Sequence, residues 1–299
     1  MFRVCGLFLI IALVVATLFA STAYAEEASA DTIKIVLPNY QGRDGRNHYV
    51  ETLISTALST QGLSADVVYH PLPSNVKRIE KLLTEELAID VAWLQATTSR
   101  TERMQYVPIP IFQGLHGTRL LLINQNRLGA FAQVNTLEQL KTLVGVQHHT
   151  WSDTSVLKMN GLSINGDLEY ANMLRAIESG LADYFPRSAM TIHAEQRRLA
   201  ARGIVIEPRL ALEYPSYFLL FVSNRQPDLQ KMLVRGITKM SETGDFQRLF
   251  ERFFDARFQS LDLLNRTKVA LNNSALPQSL VSELRQGVFY KPSPKAFTD

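Results

Sequence analysis

The hydrophobic and polar positions in the first part of the chain change period in a regular way. Residues 32–38 are mostly apolar and rich in β-branched side chains, which is typical of a buried strand. Apolar positions at helical spacing follow between residues 49 and 58. The same two patterns recur through residues 65–87, before a third apolar run at residues 88–95. This order predicts a βαβαβ unit, in which helices cover a parallel sheet.

A second group of strand and helix patterns follows a polar stretch at residues 96–105. Thr136 and Gln139 have the spacing of a capping box, which predicts the start of a short helix. The clearest helical periodicity lies near the end, where phenylalanine recurs between residues 246 and 254, and we expect this stripe to pack in the core. Apolar runs typical of strands occur at residues 119–124, 143–150, 182–188, 203–208 and 216–224.

The N-terminal segment has the layout of a secretory signal peptide. Arg3 precedes an apolar run at residues 7–20, and the small residues Ala23 and Ala25 form a cleavage site. The apolar run is shorter than the roughly 20 residues that span a bilayer. We therefore expect cleavage after Ala25, with an uncleaved anchor as the alternative. Removal of residues 1–25 would accompany secretion into the bacterial periplasm or out of the cell.

Composition excludes several classes of protein. The chain has 299 residues, of which 46% are hydrophobic, and 31 basic residues against 28 acidic ones give a net charge of +3. This balance does not fit a collagen, a low-complexity chain, a polytopic membrane protein or a nucleic-acid-binding protein that depends on phosphate contacts. The single cysteine, Cys5, excludes disulfide frameworks and multi-cysteine metal sites, and it would be lost with the signal peptide. The length suits two modest domains or one large one.

The histidines do not have the spacing of a metal site. His148 and His149 are adjacent, and neighbouring positions on a strand point to opposite faces of the sheet. We therefore predict no metal ion and no cofactor.

Five segments carry a resemblance to a known family. They are TIKIVLP at residues 32–38, TSRTERMQYVPIPI at 98–111, LEQLKTLVGVQHHTW at 137–151, IESGLADYF at 177–185 and a helix pair at 227–254. In their order and spacing they resemble the family 3 extracellular solute-binding proteins, the amino-acid-type receptors of ABC transporters. The resemblance implies the two-lobe α/β architecture of the type 2 periplasmic binding fold. Two β-strand crossovers would join the lobes, and the ligand would lie in the cleft between them.

The resemblance also implies how the chain divides between the lobes. Lobe 1 would comprise residues 31–118 and 223–299, with residues 262–299 as a C-terminal extension. Lobe 2 would comprise residues 119–222, including the crossover strands. These crossovers would be the apolar runs at residues 119–124 and 216–224.

Loops that follow strands are where we expect the ligand, because the cleft of an open α/β sheet lies beyond the carboxyl ends of its strands. After the first strand, the guanidinium group of Arg46 suits a carboxylate or a phosphate, and Asp44 would orient it, with Tyr49 next to them. The alternative is a solvated ion pair on a surface loop. In and after the third strand, Trp93 and Thr98 are the candidates.

The family binds the ligand carboxylate with an arginine at the end of a T-x-x-R element, and two residues here compete for that role. Arg100 has the T-x-x-R spacing from Thr97, whereas Arg103 has the expected distance to the next strand at Ile109. We favour Arg103. The alternative for either arginine is a solvated loop charge.

In lobe 2, the candidates run from the end of a strand into the start of a helix. Thr150 occupies the position at which the family provides a hydroxyl group. Trp151 would pack against a ring or the apolar surface of a ligand. Asp153 fits an N-cap and a ligand contact equally well. Further on, Ser188 occupies the position of the acidic residue that holds a ligand ammonium group in the family, and Arg187 precedes it. This departure favours an anionic ligand, although Arg187 could instead pair with a nearby carboxylate.

These observations predict a periplasmic solute-binding protein rather than an enzyme. It would capture a small polar solute, anionic or amino-acid-like, by closure of two lobes and deliver it to an ABC permease, as a monomer with no nucleic-acid partner. One alternative is a stand-alone sensor or orphan receptor of the same fold that acts with a membrane sensor. Another is a secreted hydrolase, although the sequence has no G-x-S-x-G, H-E-x-x-H or P-loop motif.

Overall fold

The computed structural model describes residues 31–40, 45–277 and 280–281. The predicted signal peptide, Asp44 and the end of the C-terminal extension lie outside these residues. The strands are β1 (Thr32–Tyr40), β2 (Ser64–Ser74), β3 (Val91–Gln95), β4 (Gln105–Val107), β5 (Thr118–Asn124), β6 (Val144–Val146), β7 (Ser163–Asn165), β8 (Phe185–Ser188), β9 (Ile204–Ile206), β10 (Leu210–Glu213), β11 (Phe218–Val222) and β12 (Thr267–Ala270). The helices are α1 (Gly45–Ser59), α2 (Val76–Thr84), α3 (Thr98–Arg103), α4 (Leu128–Phe131), α5 (Leu137–Lys141), α6 (Ser152–Met159), α7 (Tyr170–Ser179), α8 (Ala189–Ala200), α9 (Pro227–Glu242) and α10 (Asp245–Gln259).

Local sequence signals explain where several helices begin. The side chain of Asn75 accepts a hydrogen bond from the Arg78 amide and caps α2. Thr136 and Gln139 form the predicted capping box at the start of α5. None of the helices described here is long and apolar enough to cross a membrane.

The first lobe is built on β1 to β4 and β11. β1 and β2 pair in parallel, and β11 lies antiparallel between β3 and β4. Hydrogen bonds between β1 and the segment around β3 join these sheets. Among them, the amide of Val36 donates to Asp90 Oδ2 and the amide of Asp90 donates to the Val36 carbonyl, both at 2.8 Å. The predicted division assigned β11 to lobe 2, but its whole length pairs with β3. The chain therefore returns to the first lobe before Phe218.

The second lobe is built on β5 to β10 and β12. β5 is the centre of its sheet. β8 pairs with one edge of β5, β9 and β10 pair in succession with the other edge, and β12 pairs with β10. β6 and β7 form a parallel pair that joins this sheet through a bridge between Gly145 and Tyr184. The predicted crossover strand at residues 119–124 is thus a full member of the second sheet.

Two crossing segments connect the lobes and touch each other. One runs from β4 to β5 and the other from β10 to β11, and the Tyr214 amide donates to the Gly117 carbonyl at 3.2 Å. A side-chain carbon at Gly117 would lie 1.8 Å from the Tyr214 carbonyl oxygen, so only glycine allows this approach.

The C-terminal extension contacts both lobes, which differs from its predicted assignment to lobe 1. We call residues 262–277 the C-terminal strap. Its strand β12 pairs with β10 of the second lobe, and the Ala275 carbonyl then accepts the amide of Thr98 in the first lobe. Beyond the strap, Leu280 and Val281 pack in a cluster with residues of α2, β3 and β11. The strap is therefore a third connection between the lobes.

The phenylalanine stripe of α10 packs in the core, as predicted. Phe250 and Phe254 are fully buried, and their rings contact the ring of Tyr49 on α1 at 5.8 and 5.0 Å between centroids. This contact fixes α1 on the lobe, and the first turn of α1 carries Arg46.

Candidate functional site

A cavity of about 390 Å³ lies between the two lobes, where the strands of each lobe end. β1 ends there at Tyr40, β3 at Gln95 and β8 at Ser188, and the loop after β6 leads into it at Thr150. The wall comprises Tyr40, Arg46, Val76, Trp93, Leu94, Gln95, Arg100, His116, Arg119, Thr150, Trp151, Ser152, Asp153, Arg187, Ser188, Thr191 and Phe218. Of the predicted residues, it brings together Arg46, Trp93, Thr150, Trp151, Asp153 and Arg187.

Arg100, and not the favoured Arg103, is the arginine of α3 that lines the cavity. Its Nη1 donates to the carbonyl of Gln95 at 2.6 Å, and its Nε and Nη2 donate to Glu80 Oε1 at 3.0 and 2.8 Å. Arg103 lies almost a turn further along α3, where it is exposed and contacts Ser99 and Glu80. The reason is helix geometry. Arg103 is three residues after Arg100, so it lies about 4.5 Å further along the helix axis from the end of β3.

Arg46 lies against an aromatic group at the wall of the first lobe. Its guanidinium carbon is 5.0 Å from the centroid of the Trp93 ring, which in turn stacks on Tyr40 at 4.3 Å. Its Nη1 lies 3.4 Å from Nε2 of His116. Because Asp44 lies outside the described residues, its predicted pairing with Arg46 stays a prediction.

His116 is a buried, neutral imidazole. Burial above all, with the charges of Arg46 and Arg119, holds its pKa well below the usual range. Its Nε2 therefore serves as the acceptor for Arg46, because a guanidinium group only donates. The ring of Phe218 lies 4.0 Å from it and closes this part of the wall.

Arg119 and Asp153 of the cavity wall form a hydrogen-bonded cluster with Tyr214. Arg119 pairs with Asp153 Oδ2, and its Nε donates to the Tyr214 hydroxyl at 2.8 Å. The Tyr214 hydroxyl donates to Asp153 Oδ1 at 2.7 Å. Burial is the largest single effect and lowers the pKa of the Arg119 guanidinium group, but the electrostatic interactions and hydrogen bonds of Asp153 and Tyr214 together outweigh it, so the pKa is raised.

Asp153 is not the N-cap of its helix, and its predicted contact with a ligand stays a prediction. The N-cap of α6 is Trp151, which makes no side-chain cap, and Asp153 lies in the first turn of the helix. Both of its oxygens are used by Arg119 and Tyr214. The sequence could not identify these partners, because they lie 34 and 61 positions away.

Arg187 pairs with Glu195 of α8. Its Nε donates to Glu195 Oε2 at 3.0 Å, and its Nη2 contacts the other oxygen. The guanidinium carbon lies 5.3 Å from the centroid of the Trp151 ring. Each lobe thus presents an arginine over a tryptophan to the cavity.

A hydrogen bond links the lobes directly across the cavity. The hydroxyl of Ser152, at the start of α6, donates to Gln95 Oε1 at the end of β3. The same amide group donates from Nε2 to the Ser216 hydroxyl in the second crossing segment, at 3.2 Å. These contacts hold the two walls together.

Tyr49 and Thr98 lie outside the cavity wall, in contrast to the prediction. Tyr49 is fully buried and donates to the Ile111 carbonyl at 2.8 Å, because its ring belongs to the aromatic core. Thr98 donates from its amide and from its hydroxyl to the Ala275 carbonyl of the C-terminal strap. Both residues support the lobe rather than the cavity.

Several wall residues were not among the sequence-based candidates. Tyr40 and Gln95 are the last residues of their strands, so the strand-end rule could have found them. Arg119 and His116 have no such signal, because Arg119 lies near the start of an apolar strand and His116 lies in a turn. In the described part of the chain, no group of three His, Cys, Asp or Glu side chains could hold a metal ion.

The fold is similar to that of several solved binding proteins. An ancestral arginine-binding protein bound to arginine matches with a TM-score of 0.52 and 15% identity, over 74% of this chain and 98% of that protein. The BvgS VFT2 domain from Bordetella pertussis matches with 0.54 and 14%, over 74% of this chain and 93% of the domain. A putative ABC transporter binding component from Wolinella succinogenes, complexed with lysine, matches with a TM-score of 0.53 and 17% identity, over 77% of this chain and 98% of that protein.

At these identities the likeness establishes the fold. No family model matches the chain, and no curated protein matches it either. The chain has the two-lobe type 2 periplasmic binding fold, as the resemblance of its segments implies.

Proposed function

We propose that this chain is a periplasmic solute-binding protein that captures a small polar solute, anionic or amino-acid-like, in the cleft between its lobes and presents it to an ABC permease. The observation that carries the proposal is the composition of the cavity wall. Two arginines from each lobe, Arg46 and Arg100 with Arg119 and Arg187, line one cavity of about 390 Å³. Volumes of this size suit a small organic molecule.

The arrangement of the arginines suits the recognition of an anion. A guanidinium group matches the two oxygens of a carboxylate or phosphate, and each of these groups is already oriented by its neighbours. Arg100 is fixed by Glu80, and Arg187 by Glu195. A ligand would therefore meet prearranged donors, which reduces the entropy lost on binding.

The position of the cavity supports binding by lobe closure. Residues of both lobes contribute to its wall, so a ligand there would contact both at once. Closure would exclude water and strengthen every charged hydrogen bond in the cleft. No chemical step is required of the chain, and we propose binding without catalysis.

The periplasmic localisation in this proposal rests on the sequence. The signal-peptide layout of residues 1–25 supports export and cleavage before Glu26. A permease in the membrane would then meet the loaded protein on the periplasmic side.

Two measurements on the secreted protein test the proposal. A thermal-shift screen against amino acids, dicarboxylates, phosphorylated acids and aromatic acids should identify a solute that stabilises the protein. Small-angle scattering with that solute at saturation should show a smaller radius of gyration. A radius unchanged by a saturating, stabilising solute would exclude capture by lobe closure.

A further inference from the structure

The carboxylate of the cavity wall is already used by the protein itself. In the described residues, Asp153 is the only carboxylate that lines the cavity, against four guanidinium groups. Its Oδ2 pairs with Arg119 and its Oδ1 accepts the hydroxyl of Tyr214 at 2.7 Å. The neighbouring carboxylates Glu80 and Glu195 bind Arg100 and Arg187 outside the wall.

A ligand ammonium group would therefore be poorly accommodated in this cleft. It would have to compete with Arg119 for Asp153, and a buried cation without a close counter-charge is strongly disfavoured. Nearby guanidinium groups would add repulsion between like charges. The carboxylate of an amino acid would contribute favourably to the free energy of binding, and its ammonium group would contribute unfavourably.

The wall also offers apolar surface for the rest of a ligand. Val76 lines the cavity with 46% of its surface exposed, and the half-buried rings of Trp151 and Phe218 face the same space. These side chains suit an aliphatic or aromatic body, because burial of apolar surface favours binding.

We propose that the cleft binds a carboxylic acid that has an apolar or aromatic body and lacks an α-amino group, and that it discriminates against the corresponding amino acids. The inference rests on the proposed function and specifies its ligand class. The carboxylate of the ligand would contact the cavity arginines, and the body would lie against Val76, Trp151 and Phe218.

Calorimetric titration with two matched pairs of compounds tests this inference. The pairs are 3-phenylpropionate with L-phenylalanine and 4-methylpentanoate with L-leucine, and the members of each pair differ only in the α-amino group. In any pair that binds, we expect the amine-free acid to bind at least about tenfold more tightly, the equivalent of roughly 1.4 kcal/mol. An amino acid that binds as tightly as its partner, or more tightly, overturns the inference.

The same titration separates this inference from the proposed function. If none of the four compounds binds at a ligand concentration of about 5 mM, which is high enough to detect weak millimolar binding, the proposed ligand class is also overturned. The solute-binding function would still stand if the wider screen finds another solute that compacts the protein. Only the absence of any such solute would count against both.

A substitution at Ser188 tests whether the missing acceptor sets the preference. Ser188 lines the cavity, and its hydroxyl accepts the Met190 amide as the N-cap of α8. Ser188→Asp keeps a good N-cap and adds a carboxylate, so it should narrow the preference for the amine-free acid by at least about fivefold. Ser188→Asn has a similar shape and capping ability without the charge, and it should leave the preference unchanged.

Two results, one with these variants and one with the wild-type protein, would contradict the inference. Equal preferences in Ser188→Asp and Ser188→Asn would show that an acceptor in the wall does not control selectivity. A wild-type preference for the amino acids would do so independently, even if the Ser188→Asp protein does not fold.

Discussion

At the scale of single residues, neighbouring side chains fix the positions of the charged groups in and around the cavity. Arg119 and Asp153 bind one another, Arg187 binds Glu195, and Arg46 lies over Trp93. Such contacts fix side chains that would otherwise lose conformational freedom on ligand binding. Two changes of single residues can test this description.

Arg46→Ala should weaken the binding of the solute found by screening by at least about tenfold, because a charged hydrogen bond contributes roughly 1.5–3 kcal/mol. Arg103→Ala is the matched control, since Arg103 is an exposed arginine of the same lobe outside the cavity wall. Calorimetric titration of both variants measures the difference. Equal losses in the two variants would mean that the cavity does not hold the ligand.

His116 should make the stability of the protein depend on pH. Its pKa is lowered in the folded state by burial and by two arginines, so unfolding below the ordinary value of 6.5 takes up a proton. The free energy of unfolding should therefore fall as the pH drops below about 6.5, by at most about 1.4 kcal/mol per pH unit from this group.

Denaturant unfolding at pH 7.5 and pH 5.5 measures this effect. His116→Gln should lose less stability between the two pH values than the wild-type protein, because glutamine does not titrate. A difference of the same size in both proteins would show that His116 is not the responsible group.

At the scale of elements, the approach of the two crossing segments is the most constrained feature. Gly117 precedes β5, and its carbonyl accepts the amide of Tyr214, which follows β10. The two backbones touch, so the lobes are connected through a point that has no room for a side chain. The contact also places Tyr214 where its hydroxyl reaches Asp153.

Gly117→Ala should lower the free energy of unfolding by about 1–3 kcal/mol or more, because the new methyl group would overlap the Tyr214 carbonyl. Gly129→Ala is the control, since nothing lies within 4 Å of a side-chain carbon at that helical position. It should be neutral or slightly stabilising. Denaturant unfolding compares the two, and a harmless Gly117→Ala would mean that the crossing segments do not touch as described.

At the scale of the whole molecule, the C-terminal strap ties the two lobes together. β12 pairs with β10 of the second lobe, and Leu276 packs in the first lobe. The Asn273 side chain donates to the Pro215 carbonyl at 2.8 Å, so the strap also contacts the second crossing segment. Any movement of the lobes must therefore include the strap.

Removal of all residues after Asp262 should lower the melting temperature by at least about 4 °C, because it exposes β10 and the apolar partners of the strap. Removal of residues 282–299 is the control, since it keeps the strap and should change the melting temperature by less. Thermal unfolding measures both, and equal shifts would mean that the strap does not stabilise the protein.

The sequence by itself determined the alternation of strands and helices, the burial of the phenylalanine stripe of α10 and the loops where a cleft would form. These features follow from periodicity and strand order, which report how each segment is buried. Only the tertiary structure decided that Arg100 rather than Arg103 faces the cavity, that Asp153 binds Arg119 and Tyr214, and that the strap contacts both lobes. The reason is physical, because the direction of a side chain and its choice of partner depend on groups brought close by folding, and a local pattern carries no record of them.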